Sequence, residues 1–260
     1  MTPAEPALAS ALSGLAYAFM LVLARSAGAV ALFPGLAETG VPARIRAGLA
    51  GAIALLLTPV VAPMVPRPPT GIGGFAAAIG AELLTGLWLG FLARLVTLAL
   101  PIAGQILAGL LGQSNILQPD PRLGPQTAAL AQMFALAAAV LVFVTGLYAL
   151  PVEALAGSYR LFAPGSALPA GDGVRAIAEA VEGSFALAMR LAAPGIVLSA
   201  LWSLAAGVAA RIAPRVQVYF IAMPAQALFG LVLLAGTAAA LLAFWDEAAG
   251  VVLGALPGLR

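Results

Sequence analysis

The chain contains no cysteine, no histidine and no lysine, and each absence closes a class of chemistry. Without cysteine there are no disulfides, no thiolate metal sites and no cysteine nucleophile. Without histidine the commonest general base and metal ligand is missing. Without lysine there is neither a Schiff-base amine nor a phosphate-loop lysine; all twelve basic residues are arginine. Charge itself is scarce, at 8% of 260 residues, where an ordinary soluble protein carries about 25%. With 63% hydrophobic residues and a mean hydropathy of +1.08, the composition is that of an integral membrane protein. A net charge of +2 is too small to suggest nucleic acid as a partner.

What is present is a series of charge-poor runs, each near or above the roughly 20 residues that a bilayer-crossing helix needs. Pro6–Leu36 holds only Arg25, Ala47–Val65 holds no charge, and Ile72–Ala93 holds only Glu82. Leu95–Leu117 and Leu123–Val152 are uncharged, Gly183–Ala210 contains Arg190, and Val216–Trp245 is uncharged again. Between them lies a wetter stretch, Glu153–Glu182, with turn residues at Pro164-Gly165 and Gly171-Asp172-Gly173. The pattern predicts an all-α integral membrane protein of six to seven hydrophobic segments in a single domain over residues 1–260. Pro34, Pro101, Pro151, Pro194 and Pro224 predict kinked helical hairpins, not straight spans. The first ten residues contain Glu5 and no basic residue, so the N-terminal run reads as retained and not as a cleaved signal.

The most unusual segment is Gln113-Ser114-Asn115-Ile116-Leu117-Gln118-Pro119-Asp120-Pro121-Arg122-Leu123-Gly124-Pro125, a polar break between apolar runs. Its prolines remove backbone donors and fix φ, so no regular helix continues through it. At membrane depth such backbone is tolerated only where protein buries it or a wet cavity receives it. A gate, a filter and a surface loop all meet that condition. Gln113, Ser114, Asn115 and Gln118 hydrogen-bond without fixed charge, and Gly112 and Gly124 offer hinges.

Arg25, Glu82, Arg94 and Arg190 lie within or against apolar sequence, where ionisable groups face a bundle interior, a cavity or a partner, or snorkel to the interface. Glu82 is suited to pair with an arginine, in this chain or in a neighbour. Arg44 and Arg46 sit in a short hydrophilic connection near Glu38, and Arg211 and Arg215 flank Pro214 in another. These, with Arg25 and Glu82, are the residues read as subunit contacts; Arg211 and Arg215 also suit the capping of helix carbonyls. Glycines one turn apart, Gly86 and Gly90, and the series Gly104, Ala108 and Gly112, let helices approach closely, within the chain or between subunits. There is no catalytic set: no HExxH, no Ser/His pair, and Asp172 has no matching membrane aspartate. Four scattered charges with no histidine make a poor proton relay. No cofactor or metal is implied.

Four blocks in register carry a resemblance. The first is Arg25, Pro34, Val41-Pro42-Ala43-Arg44-Ile45-Arg46-Ala47-Gly48-Leu49 and Pro59; the second is Gly104-Gln105, Gly112-Gln113-Ser114 and Asp120-Pro121. The third is Gly146 with Pro164-Gly165, and the fourth is Pro194, Arg211-Ile212-Ala213-Pro214, Phe220 and Pro224. Over roughly residues 20–245 the chain resembles the FliR-like family of flagellar and type III secretion export proteins. It departs from the family pattern at Leu110, where a glutamine is usual, at Leu147, and at Ala210.

That resemblance implies a non-enzymatic subunit of a type III secretion export gate in the bacterial inner membrane, at the flagellar basal body or the base of an injectisome. The whole-chain likeness leans flagellar. FliP-like and FliQ-like proteins would be its partners around the pore, a FlhB-like protein would contact it on the cytoplasmic side, and unfolded export substrates would pass through. The family's helices form bent hairpins around the pore, much of it proud of the bilayer. A loop matching Gly112 to about Pro125 would help plug the closed pore; its residues are Gly112, Gln113, Ser114, Asn115, Ile116, Leu117, Gln118, Asp120 and Pro121. The alternative from the residues alone is a self-sufficient secondary transporter with a solute site at its broken helices.

Overall fold

The computed structural model of the chain describes residues 4–38, 40–111, 129–212 and 218–259. All the regular structure among them is helical: α1 (Ala4–Leu32), α2 (Ala43–Val61) with a 3-10 turn at Ala62–Met64, α3 (Ile72–Leu110), α4 (Ala129–Val144), α5 (Ala149–Leu161), α6 (Ala170–Ile212) and α7 (Val218–Gly254). Five of these helices are long and apolar enough to cross a membrane, or six spans if α4 and α5 count as one broken span. The chain is an all-α integral membrane protein.

Local chemistry explains most of the boundaries. Pro42, extended at φ −59° and ψ 140°, precedes the first residue of α2. Pro63, Pro66, Pro68 and Pro69 prevent that helix from continuing beyond its 3-10 turn. The expected uncharged segment Leu123–Val152 is divided at residues 145–148, where Gly146 adopts φ +80°. Only glycine does so cheaply.

Elsewhere the structure merges what charge had divided. Ile72–Ala93 and Leu95–Leu117 were expected as separate segments, yet α3 runs unbroken from Ile72 to Leu110. Arg94 interrupts hydropathy, not backbone, because arginine is a good helix former. Pro101 does not end α3 either: Ala99, Leu100 and Ala103 around it are fully buried, and that packing offsets the lost backbone bond. Gly171-Asp172-Gly173, expected as a turn, is instead the first turn of α6. The amide of Gly173 donates to the Pro169 carbonyl, and Asp172 at the start and Arg211 in the last turn of α6 both complement its dipole.

Contacts divide the chain into two compact units. The first comprises residues 1–95, 142–180 and 250–260, and its core includes Tyr17, Leu21, Val22, Ala54, Val61, Ala78 and Tyr159. The second comprises residues 96–141 and 181–249. Leu100, Leu107, Leu111 and Trp245 are fully buried in it, and the Trp245 indole donates to the Val96 carbonyl at 3.2 Å.

Three helices exceed any ordinary span. At 1.5 Å per residue, α3, α6 and α7 are roughly 58, 64 and 55 Å long, against about 30 Å of hydrocarbon. Fitting α3 inside would need a tilt of roughly 60°, beyond the 0–40° range of membrane helices. A helix of that length that crosses as a straight rod has ends outside the hydrocarbon. Meanwhile only 11% of the most apolar window of α7 is buried within the chain. Leu228, Val232 and Phe220 all lie exposed along it.

Candidate functional site

At the centre of the first unit three helices meet on one buried ion pair. Arg25 of α1 and Glu82 of α3 are both fully buried. The pair is a fork: Arg25 Nε donates to Glu82 Oε2 at 2.7 Å and Nη2 donates to Oε1 at 2.9 Å. Such planar bidentate geometry is what guanidinium supplies and an ammonium does not. Arg25 Nη1 donates to the Ser158 hydroxyl at 3.0 Å, and Nη2 donates also to the Phe162 carbonyl at 3.1 Å. The Ser158 hydroxyl in turn donates a hydrogen bond to the Leu155 carbonyl at 2.7 Å, which leaves a lone pair to accept from Arg25. The Tyr159 ring lies 4.0 Å from the guanidinium carbon, a cation–π contact made strong by burial.

The Pro164-Gly165 pair completes the arrangement. Ala163 to Ser166 forms a tight turn with Pro164 and Gly165 at its centre and a Ser166 amide donating to the Ala163 carbonyl at 3.1 Å. Gly165 has φ +81°, and proline followed by a left-handed glycine is the signature of a type II turn. The central amide of that turn is free, and Gly165 N–H donates to Glu82 Oε1 at 2.7 Å. The adjacent Phe162 ring meets Trp88 edge to face at 5.7 Å, and the Trp88 indole donates to the Gly173 carbonyl at 3.0 Å. Gly165→Ala should therefore lower stability by about 1–2 kcal/mol through its left-handed φ alone, read as a lower thermal aggregation temperature in detergent.

The two charges are satisfied by each other and by the polar groups around them, while the buried Tyr159 hydroxyl has no partner among the described residues. The arrangement holds α1, α3 and α5 in register and presents nothing to a solute. Arg25 and Glu82, expected as subunit contacts, face each other inside the chain. The other such residues are placed differently. Arg44 and Arg46 fall in the first turn of α2 and not in a connecting loop, with Arg44 exposed. Cations are disfavoured at a helix N-terminus by about 0.3–1 kcal/mol, so local structure gives no reason for them. Arg211 is exposed in the last turn of α6. Arg215 and the loop positions Gly112, Gln113, Ser114, Asn115, Ile116, Leu117, Gln118, Asp120 and Pro121 lie outside the described residues.

Three of the spaced glycines lie against helices of the same chain, and Gly112 lies outside the described residues. Gly86 and Gly90 of α3 lie against Arg25 and Ala29 of α1, and Gly104 lies against Ala131 and Phe134 of α4. The sequence reading missed Ser158, Tyr159 and Phe162. Its only trace of them was a wet stretch next to an apolar one. It also passed over Gln226, a half-buried amide in the uncharged stretch of α7, where an amide among apolar residues calls for a partner. That partner is the carbonyl of Leu110 at 2.7 Å, the last residue of α3 and the position where the family pattern carries a glutamine.

Residues 16–250 match the family described as bacterial export proteins, family 1. The chain is 34% identical over 231 residues to the flagellar biosynthetic protein FliR of Caulobacter vibrioides, covering 89% of this chain and 92% of the relative. It is 27% identical over 212 residues to the FliR of Bacillus subtilis, covering 80% of each. With the FliR of Escherichia coli it shares 26% identity over 215 residues, covering 82% and 81%.

Proposed function

Because this chain belongs to the bacterial export proteins, family 1, we propose that it is a pore-forming subunit of the flagellar type III export gate. In this reading it acts without catalysis, in the inner membrane, together with FliP-like and FliQ-like subunits. Unfolded flagellar proteins are the cargo, and a FlhB-like protein meets the assembly on its cytoplasmic side. The family match over residues 16–250 carries the reading.

Physical features support it. Helices nearly twice the hydrocarbon thickness require protein or water around their ends, which an assembly with a lumen supplies. An α7 whose stretch from Ala222 to Trp245 is uncharged yet mostly exposed suits a helix covered by lipid and by neighbouring subunits. Arg44 and Arg46, at the unfavourable end of α2, are suited to contact acidic groups of a partner. The secondary-transporter reading loses the part of its motive that rested on Arg25 and Glu82, because these two face each other. Within this function the segment from Gly112 to about Pro125 helps to close the resting pore, with Gln113, Ser114, Asn115 and Gln118 seating it by uncharged hydrogen bonds. Such a plug releases without stranding a buried charge.

Deleting Gln113–Gln118 in cells that make the whole apparatus should leave assembly intact and raise ion leakage across the membrane. Normal assembly with no added leakage would remove the closure role while leaving the subunit assignment in place.

A further inference from the structure

The last turn of α3 is held in the second unit by a set of contacts that neither packing nor hydrophobicity alone requires. Ser199 of α6 donates its hydroxyl to the Leu110 carbonyl at 3.2 Å, and Gln226 of α7 donates its amide to the same oxygen at 2.7 Å. A carbonyl in the final turn of a helix has lost its intrahelical donor. In apolar surroundings an unmet carbonyl is expensive. Here two different helices supply donors to one atom.

Each of those helices also carries a glycine one turn away from its donor. On α6 it is Gly195, against which the Leu107 side chain lies; on α7 it is Gly230, against which Leu111 lies. A side chain at either glycine would collide with the leucine opposite. Positions i and i+4 share a helix face. So α6 offers Gly195 with Ser199, and α7 offers Gln226 with Gly230, as two matching notch-and-donor pairs aimed at one helix end. Leu107 and Leu111 are both fully buried in the result.

We infer that Ser199 and Gln226 are positioning residues that seat the end of α3, and so fix the point from which the chain departs into residues 112–125. The functional consequence rests on the gate reading given above; the seat itself does not. Removing both donors loosens the last turn, and the departure point shifts.

The full chain, co-expressed with its apparatus, provides the test. Because the chain has no cysteine, Ala108→Cys gives it a single thiol in the last turn of α3, buried when the seat is formed. In that background Ser199→Ala with Gln226→Met should raise labelling by a small water-soluble thiol reagent about fivefold or more, the ratio matching one hydrogen bond's net free energy. In the cysteine-free chain the same pair should raise ion leakage, and Ser199→Thr, which keeps a donor, should raise neither. Unchanged labelling overturns the inference. Raised labelling without leakage, in a gate that leaks when Gln113–Gln118 is deleted, overturns the positioning role. If that deletion itself causes no leak, the closure reading fails and labelling alone decides the seat. Should the double variant not accumulate, Gln226→Met alone is read by the same labelling, and no change there overturns the inference.

Discussion

Glu82→Ala should destabilise the first unit by about 3–5 kcal/mol, the range for removing one partner of a buried ion pair. The expectation follows from what the carboxylate does. It accepts both arms of the Arg25 fork and the Gly165 amide. Its loss leaves a guanidinium fully buried with only the Ser158 hydroxyl, the Phe162 carbonyl and the Tyr159 ring to face. Arg25 is fully buried, so the helices must separate or the charge must remain unpaired. Glu82→Gln keeps the shape and one acceptor but turns an amide toward donors, and it should fall between parent and alanine variant. Arg25→Met with Glu82→Leu removes the charge entirely and should recover most of the loss, because replacing a buried pair with apolar residues is often neutral. The readouts are the amount of chain retained in the membrane with its apparatus and its thermal aggregation temperature in detergent. A Glu82→Ala chain as stable as the parent would sink this account, as would a double variant no better than the single one.

Much of the fold was legible in the residues, and the failures have physical causes. Arg25 and Glu82 were visible as anomalies because an ionisable group in an apolar run is costly. Their pairing was not, since 57 residues separate them and no local pattern spans that distance. The Pro164-Gly165 turn was readable from its chemistry alone. That its free amide would serve Glu82 was not, because the acceptor is on another helix. Helix boundaries failed where hydropathy stood in for backbone: Arg94 marks no break in α3, and Gly171-Asp172-Gly173 begins a helix despite its two glycines. There the preceding Pro169 carbonyl takes the Gly173 amide, and the acidic residue sits where the dipole favours it. The segment first singled out, Gln113–Pro125, lies outside the described residues; what the structure adds is the geometry of its entry point at Leu110.

The same reasoning gives opposite signs for two glycines on one helix. Gly86→Ala should destabilise by about 1–3 kcal/mol, the usual range for overpacking. At Gly80, alanine should stabilise by about 1 kcal/mol, its advantage over glycine inside a helix. A Cβ at Gly80 meets nothing within 4 Å. A Cβ at Gly86 would strike the backbone carbonyl of Arg25 and the amide nitrogen of Ala29. Backbone cannot rotate aside as a side-chain tip can, so α1 must move as a body. Gly28 of α1 reinforces the constraint, lying against the backbone of Leu83 and Leu87 of α3, and Gly90 lies against the Ala29 carbonyl. The two helices therefore touch main chain to main chain, as small residues permit. The ion pair depends on that separation, because Gly86 is one turn beyond Glu82 and the carbonyl it faces is that of Arg25 itself. Pushing the helices apart lengthens the fork and loosens its partners, so the loss at Gly86 exceeds the helix-propensity gain. Gly86→Leu, with three more carbons against the same backbone, should keep the first unit from forming. Thermal aggregation temperatures of the Gly80→Ala and Gly86→Ala chains, measured side by side, decide the matter: shifts of the same sign would mean that the close approach of α1 and α3 does not hold the ion pair in place.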